Sequence, residues 1–171
     1  MPHLLLQELP RYECLLAASE KYPTLNPSSA EAFLNLLRTG DLVFEAEGLY
    51  LSQFGVSQGR FTILMLLNRM CEESVSPAEL AEKSCVTRAT ISGLLDTMER
   101  DGLVTRTTSA SDRRAVEVEL TAEGQALVDA ILPGYFARVE EMISPLDAAE
   151  RKTFVTLLQK IQSAFVEPIH S

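Results

Sequence analysis

Along residues 87–98 the apolar side chains Ile91, Leu94, Leu95 and Met98 recur at helical spacing, whereas Val116, Val118 and Leu120 alternate with Glu117 and Glu119. The period therefore changes from that of a helix to that of a strand. Upstream, Ser76-Pro77-Ala78-Glu79 sets a serine three residues before a glutamate, with proline at the first helical position. That pattern satisfies the free amides of a helix start. The helix it opens is short, because Ser84-Cys85-Val86 interrupts the pattern and Thr87 is suited to cap a second helix. Gly102 ends the second helix. Leu103-Val104-Thr105-Arg106-Thr107 reads as a strand, Ser109 to Arg114 as a polar turn, and Ala115 to Leu120 as the returning strand. Helix, turn, helix and a two-stranded hairpin with arginines at its tip make a winged helix-turn-helix. Ala81 is small where its two helices must approach, and Ile91 and Leu94 are placed to fill the angle between them.

The flanks read as longer helices. A helix over about Arg11 to Lys21 is stopped by Pro23 and Pro27. Ser28 and Glu31 form a capping box for a helix over about Ala30 to Phe54, weakened locally by Gly40 and Gly48. The next, Gln58 to Glu72, carries the run Phe61-Thr62-Ile63-Leu64-Met65-Leu66-Leu67 and is expected at the centre. Thr121 caps a helix toward Ser144 in which Pro133 predicts a kink. Asp147 and Glu150 cap a last helix striped by Phe154, Leu157, Leu158, Ile161 and Phe165. Two long apolar-striped helices without a second core to cover them predict a partner chain.

The fold class is thus mainly α with a small two-stranded β wing, the winged helix-turn-helix being flanked by long dimerisation helices. The expected organisation is an extension helix over residues 1–27, a domain over 28–165 and a tail over 166–171. Within the domain, residues 28–74 and 121–165 form dimerisation helices and 75–120 the DNA-binding lobe. Packing on the dimer partner and a lid over a ligand pocket both remain open for the extension.

This order of residues resembles the MarR family of bacterial transcriptional regulators. The resemblance rests on Ala78-Glu79-Leu80-Ala81-Glu82-Lys83, on Thr87 to Leu95, on Glu99-Arg100-Asp101-Gly102-Leu103-Val104 and on Asp112-Arg113-Arg114-Ala115. Leu120-Thr121-Ala122-Glu123-Gly124 continues it. It implies a DNA-binding regulator whose terminal helices interlock in a homodimer. It further implies a repressor on a palindromic operator in double-stranded DNA, released by a small aromatic or carboxylate effector. The effector would sit where the dimer helices meet the DNA-binding lobe, between Leu51 and Leu66, with Arg60 the only cation in that run. The resemblance also implies that Arg113 enters the minor groove and that Asp112 braces it.

Side-chain chemistry supplies candidate contacts independently. A helix in the major groove presents its first turns to bases and phosphates, which selects Arg88, Thr90 and Ser92, with Thr87 able to reach phosphate from the cap. Ala89 and Gly93 matter by being small. Arg113 and Arg114 at a hairpin tip have the reach for a minor groove, and a carboxylate beside them can hold a guanidinium in a fixed fork. Arg106, at the base of the wing, is a phosphate candidate.

Charge sharpens this picture. The net charge is −9, against the basic footprint expected of a DNA binder. Residues 84–116 carry five basic and four acidic side chains, a nearly neutral face on an acidic body. Modest non-specific affinity with steep salt dependence follows. Three cysteines without pairing logic (Cys14, Cys71, Cys85), no run of spanning length and no leader pattern at Met1-Pro2-His3 predict a cytoplasmic protein without membrane contact. Cys14 in the extension and Cys85 before a helix start leave a redox-sensing regulator as an alternative. A winged-helix module for protein contacts is another. With histidines only at His3 and His170, no catalytic set, phosphate loop or metal spacing is present, so neither an enzyme nor a cofactor is expected.

Overall fold

The computed structural model describes residues 8–70, 75–84, 86–108 and 116–166, mostly helical with one small sheet. Helices α1 (Tyr12–Lys21), α2 (Pro27–Ser52) and α3 (Gln58–Arg69) precede α4 (Pro77–Ser84) and α5 (Arg88–Arg100). Strands β1 (Val104–Thr108) and β2 (Val116–Leu120) follow, then α6 (Ala122–Ile143) and α7 (Ala148–Val166). No helix among the described residues is long and apolar enough to cross a membrane.

Local chemistry sets most of these boundaries. The capping box before α4 is complete: the N–H and Oγ of Ser76 donate to Glu79 Oε2 at 2.8 and 2.7 Å, and Glu79 N–H donates to Ser76 Oγ at 3.2 Å. Thr121 Oγ1 accepts from Gly124 N–H at 3.0 Å before α6, and Asp147 with Glu150 closes the box before α7. The start of α2 differs from the expectation. Asn26, not Ser28, is its cap, accepting from Ser29 N–H at 3.1 Å and from the Ser28 hydroxyl at 2.8 Å. Pro27 has no N–H to satisfy and a φ already suited to the first helical position, so the helix begins ahead of Ser28. Gly40 and Gly48 lie within one continuous helix. Likewise α6 runs through Pro133.

As its apolar run predicts, α3 is central and packs against α2, α4, α5, α6 and β2. Ile63 and Leu64 of α3, Leu80 of α4, and Ile91, Leu95 and Met98 of α5 have no exposed surface. Each such side chain contributes about 1.5–3 kcal/mol relative to exposure. The strands are antiparallel, with Val104 opposite Leu120, Arg106 opposite Val118 and Thr108 opposite Val116. Val118 N–H also donates to Val75 O at 2.9 Å, which ties the segment before α4 to the same sheet.

The exit from α5 is built tightly. Gly102 has φ +72°, its N–H donates to Glu99 O, and Leu103 N–H reaches back to Met98 O at 2.9 Å. Thr121 Oγ1 donates to Gly102 O at 2.6 Å, and a methyl group on Gly124 would lie 2.0 Å from Leu103 O. The first turn of α6 is therefore seated directly on the link between α5 and β1.

Candidate nucleic-acid interface

Helix α5 has two unlike faces. One buries Ile91, Leu95 and Met98; the other leaves Arg88, Ala89, Ser92, Gly93 and Asp96 exposed. Thr87 is the cap, its Oγ1 accepting from Thr90 N–H at 3.1 Å and lying 2.9 Å from Thr90 Oγ1. The expected contacts Thr87, Arg88, Thr90 and Ser92 are thus all exposed in the first turns of one helix. Arg88 makes no ion pair among the described residues. No atom beyond the helix's own lies within 4 Å of where a Cβ on Gly93 would stand, so this surface is open.

Arg106, expected to contact phosphate, is engaged within the lobe. Its Nη1 donates to Asp96 Oδ1 at 2.7 Å and Glu99 Oε2 at 3.3 Å, and Nη2 donates to Ser92 O at 3.3 Å. Strand parity explains this. Arg106 shares a face with Val104, which is buried, and stands opposite Val118, also buried, so it points toward α5. The same parity is visible in the sequence. Asp112, Arg113 and Arg114 lie outside the described residues, as do Cys71 and Cys85. Cys14 is a free, exposed thiol on α1.

Arg60, expected to face an effector, instead donates through Nη2 to Asp101 Oδ2 at 2.6 Å, which links α3 to the residue closing α5. Leu51 and Leu64, in the run expected to line that junction, are core residues without exposed surface.

Contacts between α2 and α6 carry functional groups that sequence spacing does not reveal. Tyr135 donates to Glu47 Oε1 at 2.8 Å, Tyr50 donates to Ile131 O at 2.7 Å, and the Arg138 guanidinium lies 4.7 Å from the Tyr50 ring centre. Glu47, Tyr50, Tyr135 and Arg138, with Met142, border a recess between the two helices. Burial, and then the bond to Glu47, pushes the Tyr135 phenol up to about 12. At Glu79 the bond from the Ser76 amide holds the carboxyl below its ordinary value. A second, apolar groove runs between α2 and α7, bordered by Leu36, Val43, Phe44, Phe154, Leu157 and Ile161.

Comparison with known proteins matches both this lobe and most of the chain around it. A family model described as the MarR family matches residues 56–116. The HTH-type transcriptional repressor YetL of Bacillus subtilis (strain 168) is 37% identical over 153 residues, covering 90% of this chain and 92% of the relative. Among solved structures, AbsC from Streptomyces coelicolor superposes with TM-score 0.76 at 23% identity over 82% of this chain and 95% of its own. The S. aureus MepR-DNA complex superposes with TM-score 0.69 at 22% identity, over 78% of this chain and 94% of that one.

Proposed function

The chain belongs to the MarR family of transcriptional regulators, and on that premise we propose a homodimeric repressor that binds a palindromic operator and is released by a small molecule. The observation that carries the DNA-reading part is the bare outer face of α5. Its first turns present Thr87, Arg88, Thr90 and Ser92, each exposed, and nothing among the described residues crowds the face at Gly93. Arg88 and Ser92 read base edges, and Thr87 and Thr90 contact phosphate. Arg113 and Arg114 enter the minor groove from the wing, with Asp112 bracing the fork. Residues 75–120 form the DNA-binding lobe in this reading, and residues 28–74 and 121–165 the dimerisation helices.

The dimer is supported by the apolar side chains that one protomer leaves bare. Phe33, Phe44, Phe136, Leu157 and Phe165 are each more than half exposed, on α2, α6 and α7. Patches of this kind mark interfaces. A two-fold axis between them sets the operator as an inverted repeat with half-site centres about one helical turn, ~34 Å, apart. For the effector we favour a small aromatic or carboxylate compound at the recess between α2 and α6. Tyr50 and Tyr135 would supply its walls and Arg138 its cation, since Arg60 is already paired.

Selection of duplexes from a random pool by the purified protein tests this reading. An inverted repeat is the expected product, and Arg88→Ala should lose preference at one position of each half-site, at a cost of about 1–3 kcal/mol. Enrichment of no sequence, or an identical pool for parent and Arg88→Ala, would overturn it.

A further inference from the structure

We propose that Arg106 is a positioning residue, which fixes the angle of the wing on the recognition helix through Asp96, Glu99 and the Ser92 carbonyl. The inference rests on the reading that α5 and the wing face DNA. Its first support is where the apolar packing of the hairpin stops. On the inner face Val104 and Val118 are buried, whereas Thr108 and Val116, the next cross-strand pair on that face, are exposed. Arg106 sits opposite Val118, at the last level before the exposed pair. It is the last inner-face residue of β1 before the exposed Thr108, and its guanidinium reaches α5. The contact therefore fixes β1, and β2 paired with it, relative to α5.

The second support is the reach of the guanidinium. Its three acceptors, Ser92 O, Asp96 Oδ1 and Glu99 Oε2, span two turns of α5 on one flank. A planar fork with fixed N–H directions can satisfy all three at once, and so holds the strand to the helix in one orientation. The third support is electrostatic. Two carboxylates already answer this cation at 2.7 and 3.3 Å, so a phosphate would have to displace them. Displacement would also bare two negative charges on the flank of the helix that approaches the groove. The same arginine therefore masks Asp96 and Glu99 while it sets the wing.

Arg106→Lys separates positioning from phosphate binding. Lysine keeps the charge and serves well as a point-charge phosphate partner, but it cannot serve the three acceptors as a fork. The probes are a duplex selected by the parent protein and its scrambled counterpart, each titrated across a salt series, with thermal unfolding monitored alongside. The expected result is a loss of about tenfold in the preference for the selected duplex, with the salt dependence and the melting temperature unchanged. Unchanged preference in Arg106→Lys overturns the proposal. Asp96→Asn carries the test if the lysine variant does not fold. Loss of preference supports positioning, whereas tighter binding of both duplexes by one factor shows only relieved repulsion and overturns it. A parent protein that prefers neither duplex refutes the DNA reading itself, and this inference with it.

Discussion

Arg60 on α3 and Asp101 at the end of α5 are joined at 2.6 Å, so the helix proposed to read DNA is held at its far end by the central helix of the fold. The pair is lopsided. The Arg60 side chain is 18% exposed with a buried Nε that has no partner among the described residues, and Asp101 is 49% exposed. Removing Asp101 strands a largely buried cation, whereas replacing Arg60 by an apolar side chain of similar length removes the need for a partner. Asp101→Ala should therefore cost about 1–2 kcal/mol and Arg60→Met less. Urea denaturation of both variants checks the order, and a larger loss for Arg60→Met would refute it.

Tyr135 gives the junction of α2 and α6 a signature at alkaline pH. The phenol has an ordinary value of 10.0 and is pushed up to about 12 in the folded chain. Folding thus favours the protonated form. Its contribution is whole below pH 10.0 and is lost as pH rises from there through about 12. Tyr135→Phe should flatten that part of the stability profile. The phenolate absorbance of the parent minus that of Tyr135→Phe should show the raised transition directly. Glu47→Gln should lower it only in part, because burial is the larger cause.

Two glycines should respond to alanine in opposite directions. At Gly124 the new methyl meets Leu103 O at 2.0 Å, a backbone obstacle that cannot swing aside, and a loss near the top of the ~1–3 kcal/mol overpacking range is expected. At Gly93 nothing stands within 4 Å, so Gly93→Ala should gain up to about 1 kcal/mol of helix stability. The larger Gly93→Gln should stay folded yet bind DNA more weakly, its side chain holding α5 out of the groove. Thermal melts beside duplex titrations measure both effects. A Gly93→Gln variant that binds as the parent does would remove this face from the interface.

Charge placed on the groove between α2 and α7 tests assembly. Phe44 is 54% and Leu157 52% exposed on one protomer. Phe44→Glu with Leu157→Glu should leave each chain folded and convert a dimer to monomer in sedimentation, with loss of binding to an inverted repeat. A dimer that survives both charges lies elsewhere on the molecule.

Much of this architecture is legible in the sequence because it depends on neighbours along the chain. The boxes at Ser76 and Asp147, the cap at Thr121 and the stop at Gly102 all act within a few residues. Asn26 was obscured by a competing signal two residues away, and only the preference of proline for the first helical turn decides between them. The inward turn of Arg106 is legible in the strand alternation. Its parity with Val104 turns it inward, but an arginine near a wing suggests phosphate to any reader who counts charge before faces. Arg60 with Asp101, and Tyr135 with Glu47, were not legible at all. They pair residues 41 and 88 positions apart, and only packing brings them together.

The groove between α2 and α7 has a consequence for biosynthesis. One wall comes from the first half of the chain and the other from residues 154–161, so the groove cannot exist on a ribosome until those residues have emerged. Until then the α2 wall of the groove, with Leu36, Val43 and Phe44, has no α7 side chains facing it. The DNA-binding lobe is complete earlier, once the first turn of α6 has locked onto Leu103. A nascent chain therefore completes the helix-turn-helix before this groove forms, and chains cut short ahead of α7 should collect in aggregates, which sedimentation of truncated chains checks.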